Sequence, residues 1–342
     1  MKKVRVGIIG CGSITKHRHF PEYMANENVE IAAVCDLIED RAKAFADQSG
    51  AALYTSLDHL LNDPSIDAVS VNLPNALHAP VTIKALQAGK HVLCEKPMAT
   101  SIEEADRMIQ AADEAGRKLM IGHNQRFVES HEKAREYIKE GKLGRVYSFR
   151  TAFGHGGPEG WSADGRDSWF FDKEKAFIGA MGDLGVHKSD LVRFIFDQDA
   201  AEVGGFVDTL AKENTQVDDN AVCIIKLKDG TMGTLTASWS HNKFGDNSTI
   251  IYGEKGVLRL EDDEEYSFIF YPLEGEPEKQ NLGKIQTNEE GGQSKTGVID
   301  EFIESILEDR EPAVSGLEGK KALEIVLAAL ESSKSKKIIT LS

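Results

Sequence analysis

The sequence predicts two domains: an α/β domain on a parallel sheet, then an α+β domain on a large, open, mainly antiparallel sheet. Three observations lead there. The chain has 342 residues, more than one ordinary hydrophobic core serves. Over its first third, short runs that are apolar throughout alternate with segments of helical spacing. Strands without a polar face need cover on both sides, which implies a parallel sheet under helices. After residue 144 the pattern changes to longer runs rich in Val, Ile, Leu and Thr, suited to a sheet with one buried face.

In the first domain, taken as 1–123, strands are expected at 4–9, 30–35, 68–72, 90–94 and 119–121. Helices are expected at 39–46, 76–88 and 102–115. The last opens on Ser101 with Glu104 three residues on, a capping-box pattern, and meets a C-cap glycine at Gly116. Pro21 should break or kink the first helix. In the second domain, 124–342, strands are expected at 145–151, 202–207, 221–228, 231–238, 249–252 and 268–271, with a last one at 337–341. Asp229-Gly230 between two of them is a two-residue hairpin signal. Helices are expected at 188–196, 298–307 and 319–330, and the polar stretch 274–292 reads as an exposed loop or hairpin.

Composition excludes several classes. Hydrophobic residues make up 41% and charged residues 28%, a globular balance. A net charge of −16 opposes broad contact with nucleic acid or an anionic membrane, which need a basic footprint. No apolar run approaches the roughly 18–20 residues of a membrane span. The N-terminus reads as an opening strand, not a signal peptide. Cys11, Cys35, Cys94 and Cys223 show no close pairing and read as reduced, buried residues of a cytoplasmic protein.

Chemistry gathers in three places. Starting from Gly7 in the first strand, Gly10 and Gly12 follow that strand and open the first helix, the setting of a Rossmann-type phosphate turn, with Thr15 at the third small position. Thr15 in place of Gly or Ala should loosen helix–strand packing slightly. Asp36 ends the second strand about where a carboxylate accepts hydrogen bonds from the adenosine ribose. Such a carboxylate repels a 2′-phosphate, so NAD is favoured over NADP. Glu95-Lys96-Pro97 ends the fourth strand, although a lysine in a turn is more often plain surface. Asp183 and His187 share a helix face, where a helix cap beside a satisfied histidine is the blander reading. No third ligand at a diagnostic spacing suggests a metal.

Together these residues resemble the family of glucose–fructose oxidoreductase and inositol dehydrogenase. The resemblance runs nearly the whole chain in order, through Gly10 and Gly12, Asp36, Asn72 to Asn75 with His78, Gly89 to Pro97, Gly122 to Phe127, and Asp183 to Asp190. It implies an NAD-dependent dehydrogenase passing hydride from a carbinol carbon to the nicotinamide. Lys96 would bond the reacting hydroxyl, His187 would take its proton, and Asp183 would position substrate or His187. The implied cofactor contacts, beyond Gly10, Gly12 and Asp36, are Ser13, Ile14, Leu73, Pro74, Asn75, His78, Glu95 and Lys96. The implied substrate contacts are Lys96, Arg126, Trp169, Asp183 and His187. With an ordinary imidazole pKa of about 6.5, His187 should lose its function as a base at about pH 6–7.

The chain departs from the family where a glycine-rich stretch usually precedes Asp183, and at Trp169-Phe170, where Trp-Arg is common. Both fall near the expected substrate pocket. The segment 154–172 holds His155, Trp161, Asp164, Arg166, Asp167 and Trp169, suited either to a polyhydroxylated ring or to a loop folded on its own tryptophans. Its one Arg or Lys is Arg166, which favours a neutral sugar or a cyclic polyol such as an inositol over a phosphorylated one. A silent NAD-binding regulator, and a lyase or hydrolase oxidising its sugar transiently, are the rival classes. An open sheet must bury its second face unless that face is polar, so a homodimer or homotetramer is expected.

Overall fold

The computed structural model describes residues 3–286 and 293–341, and among these the strands form sheets of six and nine. The first sheet comprises β1 (Val4–Ile9), β2 (Val29–Cys35), β3 (Ala52–Tyr54), β4 (Ala68–Val71), β5 (His91–Cys94) and β6 (Leu119–Ile121). They run parallel in the order β3-β2-β1-β4-β5-β6. This is the Rossmann order, whose reversal between β1 and β4 opens a crevice at the strands' carboxyl ends. Val6, Ile8, Val69, Val71 and Leu93 are fully buried, as strands covered on both faces require. The cover comes from α1 (Phe20–Ala25), α2 (Glu39–Ser49), α3 (Leu57–Leu61), α4 (Asn75–Gln87) and α5 (Ile102–Ala115).

Local signals act as expected at α5: Ser101 Oγ accepts from Glu104 N at 3.2 Å, and Gly116 ends the helix in the left-handed conformation. Pro21 takes the first turn of α1, and the break lies just before it, where Thr15–His19 form a π-helical turn. Thr15 does not loosen this junction. Its buried hydroxyl donates to Gly10 O at 2.6 Å and accepts from Asn72 Nδ2 at 2.9 Å, so it ties the helix start to β1 and β4.

The second sheet begins after α6 (Glu129–Lys139) with β7 (Val146–Gly154). After α7 (Lys173–Ala176) and α8 (Val186–Phe196) come β8 (Ala200–Asp208), β9 (Asn220–Leu227), β10 (Met232–Ser238), β11 (Thr249–Gly253), β12 (Gly256–Leu260), β13 (Phe268–Pro272) and β14 (Glu278–Gln280). The helices α9 (Val298–Leu307) and α10 (Gly316–Ser335) precede the short β15 (Ile339–Thr340). The order is β14-β13-β12-β11-β7-β10-β9-β8-β15, antiparallel except between β7 and β10. Along β9, Ala221, Cys223, Ile225 and Leu227 are buried whereas Val222 and Ile224 are about half exposed. One face is therefore core, closed by α8 and α10.

Several boundaries differ from expectation. The β9–β10 turn spans 228–231, because Leu227 N still bonds Thr231 O and Met232 pairs with Lys226. The expected pair Asp229-Gly230 sits at its tip, with Gly230 at φ 93°. The helix expected at 188–196 begins at Val186, after a π-helical turn at Met181–Gly185. The elements β3, α3, α6, α7, β12 and β14 were not expected; most are short, and α6 is rich in charge. Within 274–292 the structure adds β14, and 287–292 lie outside the described residues.

A single division at residue 123 does not describe the cores. Val298, Ile299, Phe302 and Ile303 of α9 pack into the first core with Val314 and Leu323, and Ile121 N donates to Val314 O at 2.9 Å. The chain thus returns to the first domain before β15 adds the last strand of the second sheet. No helix among the described residues is long and apolar enough to cross a membrane, and the four cysteines are buried and unpaired.

Candidate active site

The crevice at the carboxyl ends of β1, β2, β4 and β5 is closed by the second domain into a cleft of ≈ 670 Å³. Gly10 turns the chain out of β1 at φ +92°, where a Cβ would lie 2.2 Å from Asn72 O, so only glycine fits. A Cβ on Gly12 would meet nothing within 4 Å, which leaves that backbone open to the cleft. Asp36 accepts from Cys11 N at 2.7 Å and from Ile38 N at 2.8 Å. It buttresses the glycine turn while still lining the cleft with Gly12, Ser13 and Ile14. A glycine turn open to pyrophosphate beside a carboxylate with spare lone pairs fits a dinucleotide.

The end of β4 continues this wall through Leu73 and Pro74. Asn75 Nδ2 donates to Ala176 O at 2.8 Å, across to the second domain. His78 lies between Pro97 O and Leu73 O, at 2.7 and 2.8 Å, where its single neutral N–H can donate to one of the two strand ends. The end of β5 supplies Glu95 and Lys96. Glu95 is buried against the Arg18 guanidinium and His19 Nε2. Burial works against its charge, yet Arg18 and His19 hold it well below the usual carboxylate range.

Lys96 Nζ donates to both Asp183 Oδ1 and Asp183 O, each at 2.9 Å. The other carboxylate oxygen of Asp183 accepts from Trp239 Nε1 at 3.1 Å. The turn bearing Asp183 is anchored by Asp218, which accepts from Gly179 N at 2.7 Å and Met181 N at 2.8 Å. A Cβ on Gly179 would fall 1.8 Å from Asp218 O, so this approach also depends on glycine. Burial raises the Asp218 carboxyl to about 6.

His187, one turn further along, is only 8% exposed, and its Nδ1 has no hydrogen-bond partner among the described residues. Its ring faces Phe153 at 5.7 Å and His123 at 6.4 Å between centroids. Burial first, then the charges of Lys96, His123 and Arg18, push its pKa well below 6.5. This corrects the pH range of about 6–7 expected from an ordinary imidazole. Asp183 bonds Lys96 and Trp239, and no hydrogen bond joins it to His187 among the described residues.

Arg126 lies elsewhere. Its guanidinium is buried and bidentate on Asp190, at 2.8 and 2.6 Å, and also reaches Glu318 at 2.5 Å. It braces α8 against α10 and does not line the cleft, since a planar fork is best satisfied by a carboxylate that stays put. Its neighbours Asn124 and Gln125 line the cleft instead. They stood in the same motif, but nothing in their spacing singled them out. Arg18, Phe153 and Gln293 also line it, and no signal in the sequence marked them.

The segment from His155 to Asp172 roofs the cleft. Ser13 Oγ donates to Trp161 O at 3.0 Å, and Arg41 pairs with Asp164, so the loop is fastened to the first domain. Trp169 stacks on Phe170 at 3.9 Å, and Trp161 meets Phe170 edge-on at 5.2 Å. His155, Trp161, Asp164 and Trp169 line the cleft, whereas Arg166 and Asp167 do not. The tryptophans therefore pack on their own loop and wall the cleft at once. Among the described residues no cluster of three or more His, Cys, Asp or Glu could hold a metal.

Residues 4–123 match the oxidoreductase family with an NAD-binding Rossmann fold, and 131–259 match the GFO/IDH/MocA C-terminal domain. Over 255 residues, 74% of either chain, the sequence is 30% identical to the 1,5-anhydro-D-fructose reductase of Ensifer adhaerens. The chain belongs to the GFO/IDH/MocA oxidoreductase family. Myo-inositol 2-dehydrogenase of Thermotoga maritima is 26% identical across 99% of this GFO/IDH/MocA chain and 98% of its own. The WlbA dehydrogenase of Bordetella pertussis, solved with NADH and UDP-GlcNAcA, superposes with a TM-score of 0.85 at 27% identity, covering 100% of this chain and 98% of that one. NAD is the cofactor of this oxidoreductase family, while the relatives' names span different substrates.

A depressed pKa keeps His187 neutral, and able to accept a proton, to lower pH than a free imidazole. The acid limb of kcat/KM against pH should therefore lie well below the ordinary histidine value of about 6.5. A limb at or above that value, if lost in His187→Gln, would show that the imidazole is not depressed.

Proposed function

We propose that this protein oxidises a secondary hydroxyl of a neutral sugar or cyclic polyol, of inositol type, by hydride transfer to NAD. The observation that carries the proposal is the meeting of Lys96, Asp183 and a neutral His187 in the cleft that holds the dinucleotide turn. NAD, when bound, supplies the hydride acceptor. His187 takes the hydroxyl proton as the carbinol hydrogen leaves with its electron pair and the C=O bond forms. Two N–H bonds of Lys96 are committed to Asp183, leaving the third for the reacting oxygen, whose developing negative charge the ammonium offsets.

The walls support a neutral substrate. Among the described residues lining the cleft, each Arg or Lys already faces a carboxylate: Arg18 with Glu95, Arg41 with Asp164, Lys96 with Asp183 and Lys175 with Asp172. An anionic sugar would find no spare cation there. Asn124, Gln125 and Gln293 offer carboxamides to hydroxyls, and Phe153, Trp161 and Trp169 offer faces to C–H groups.

The same reading extends to assembly and place. Phe206, Val222, Ile224 and Met232, between 54% and 71% exposed, lie on adjacent strands β8, β9 and β10. Such a patch on a sheet suits burial against the same face of a second copy, in a homodimer or homotetramer. Buried unpaired cysteines suit the reducing cytoplasm.

With NAD and a panel of neutral polyols and sugars, the absorbance of reduced nicotinamide should grow for at least one ring polyol. In His187→Ala, kcat should fall on the order of 10²–10⁴ with NAD affinity kept. Turnover of substrate without accumulating NADH would point instead to transient oxidation. NAD should exceed NADP by at least roughly tenfold in kcat/KM, and Asp36→Ala should narrow that gap; equal use by the wild type would refute the role given to Asp36. Light scattering at micromolar concentration should report an oligomer, and a clean monomer would remove the sheet-face interface.

A further inference from the structure

Trp239 follows β10 and is completely buried. Its indole N–H points at the one carboxylate oxygen of Asp183 that Lys96 does not use. An indole nitrogen can only donate, so the direction of this bond is fixed. Its main-chain N–H donates to Asp219 O at 2.8 Å, which holds the residue in register. Phe170 and Phe171 meet its ring edge-on at 6.3 and 5.9 Å, and Phe170 is the residue stacked on Trp169 in the cleft wall. One side chain therefore touches both the carboxylate that holds Lys96 and the aromatic roof over the substrate space.

We propose that Trp239 is a positioning residue for the reaction: its N–H bond to Asp183 fixes the carboxylate plane and, through it, the Lys96 ammonium beside the reacting oxygen. The physical reason is the pairing of acceptors. Asp183 is buried, and its two oxygens accept from two donors on different elements. With both bonds made, rotation of the carboxylate would break one of them. Without the indole donor, one oxygen is left unsatisfied in a dry site, and the carboxylate is free to rotate so that its two oxygens share Lys96, the single partner that remains. Lys96 keeps its bond to Asp183 O but loses the fixed carboxylate oxygen that aims it, while the dinucleotide turn, built from β1, β2 and β4, is untouched. The proposal rests on the reading of Lys96 and Asp183 as parts of the active site.

The test replaces Trp239 in the full-length enzyme in two ways. Trp239→Phe keeps an aromatic ring and removes the donor. Site-specific incorporation of β-(3-benzothienyl)alanine at 239 keeps the bicyclic shape and puts sulfur where the N–H was. Each is assayed with NAD and whichever of myo-inositol, glucose and 1,5-anhydroglucitol the wild type oxidises fastest, alongside Asp183→Asn. Both Trp239 variants should lose about 10- to 100-fold in kcat, the scale of a hydrogen bond to a charged group. KM and NAD affinity should stay within about threefold, as for an interaction made only in the reacting arrangement. The indole proton resonance that disappears in Trp239→Phe should also move upfield in Asp183→Asn. Wild-type kcat with the benzothienyl residue would overturn the proposal, since shape alone would then suffice, even if Trp239→Phe failed to fold. Normal turnover in Asp183→Asn, or no turnover of any of the three by the wild type, would overturn the reading of the site and this inference with it. A crippled Asp183→Asn beside a normal benzothienyl enzyme would remove this inference alone.

Discussion

The ion pair between Lys96 and Asp183 joins the two halves of the molecule at the point where the chemistry is proposed. Both side chains are largely withdrawn from water, at 14% and 5% exposure. Withdrawing two charges is unfavourable unless their remaining hydrogen-bonding capacity is met. Here it is met for both oxygens of Asp183 and for two of the three N–H bonds of Lys96. Asp183 accepts from Trp239 as well, and Lys96 uses both the side chain and the main chain of Asp183. The strand end that carries Lys96 is itself fixed one residue earlier, where Glu95 is sealed between Arg18 and His19. The pair is thus the last link in a chain of buried charges running from the first helix to the second domain.

The interface holding this pair is not a simple contact between two lobes. Helix α9 and part of α10 rejoin the first core after eight of the second sheet's nine strands, before β15 completes it. The cleft is also bridged at its edges, by Asn75 to Ala176, Ser13 to Trp161 and Arg41 to Asp164. A protein built this way keeps the dinucleotide turn and the proposed proton acceptor at a defined separation, as any hydride transfer between two bound molecules requires.

Charge within the cleft is arranged unlike charge on the surface. The chain is acidic overall, yet at His187 burial acts first and the charges of Lys96, His123 and Arg18 add to it. Both influences keep the imidazole neutral. Asp218 lies nearby in the fold, where burial raises its carboxyl to about 6. Environments that push titratable groups apart in this way are typical of sites where protons move.

Much was legible in the sequence because it depends on neighbours along the chain. Apolar runs covered on both faces set the Rossmann sheet, and β1, β6, α5 and α9 fall at the expected residues. Gly10, with its positive φ, and Asp36 at a strand end follow from local geometry, and the three residues Lys96, Asp183 and His187 share a cleft. What the sequence could not decide was the choice among distant partners. Arg126 looked like a substrate contact and instead found Asp190 and Glu318. Thr15 looked like a poor substitute for glycine and instead became a double hydrogen-bond anchor. Trp239 gave no signal at all, because its meaning lies in an oxygen atom of a residue far away in the chain. The proton affinity of His187 was likewise settled only by folding, since burial and the approach of Lys96, His123 and Arg18 exist only once the two domains have closed on one another.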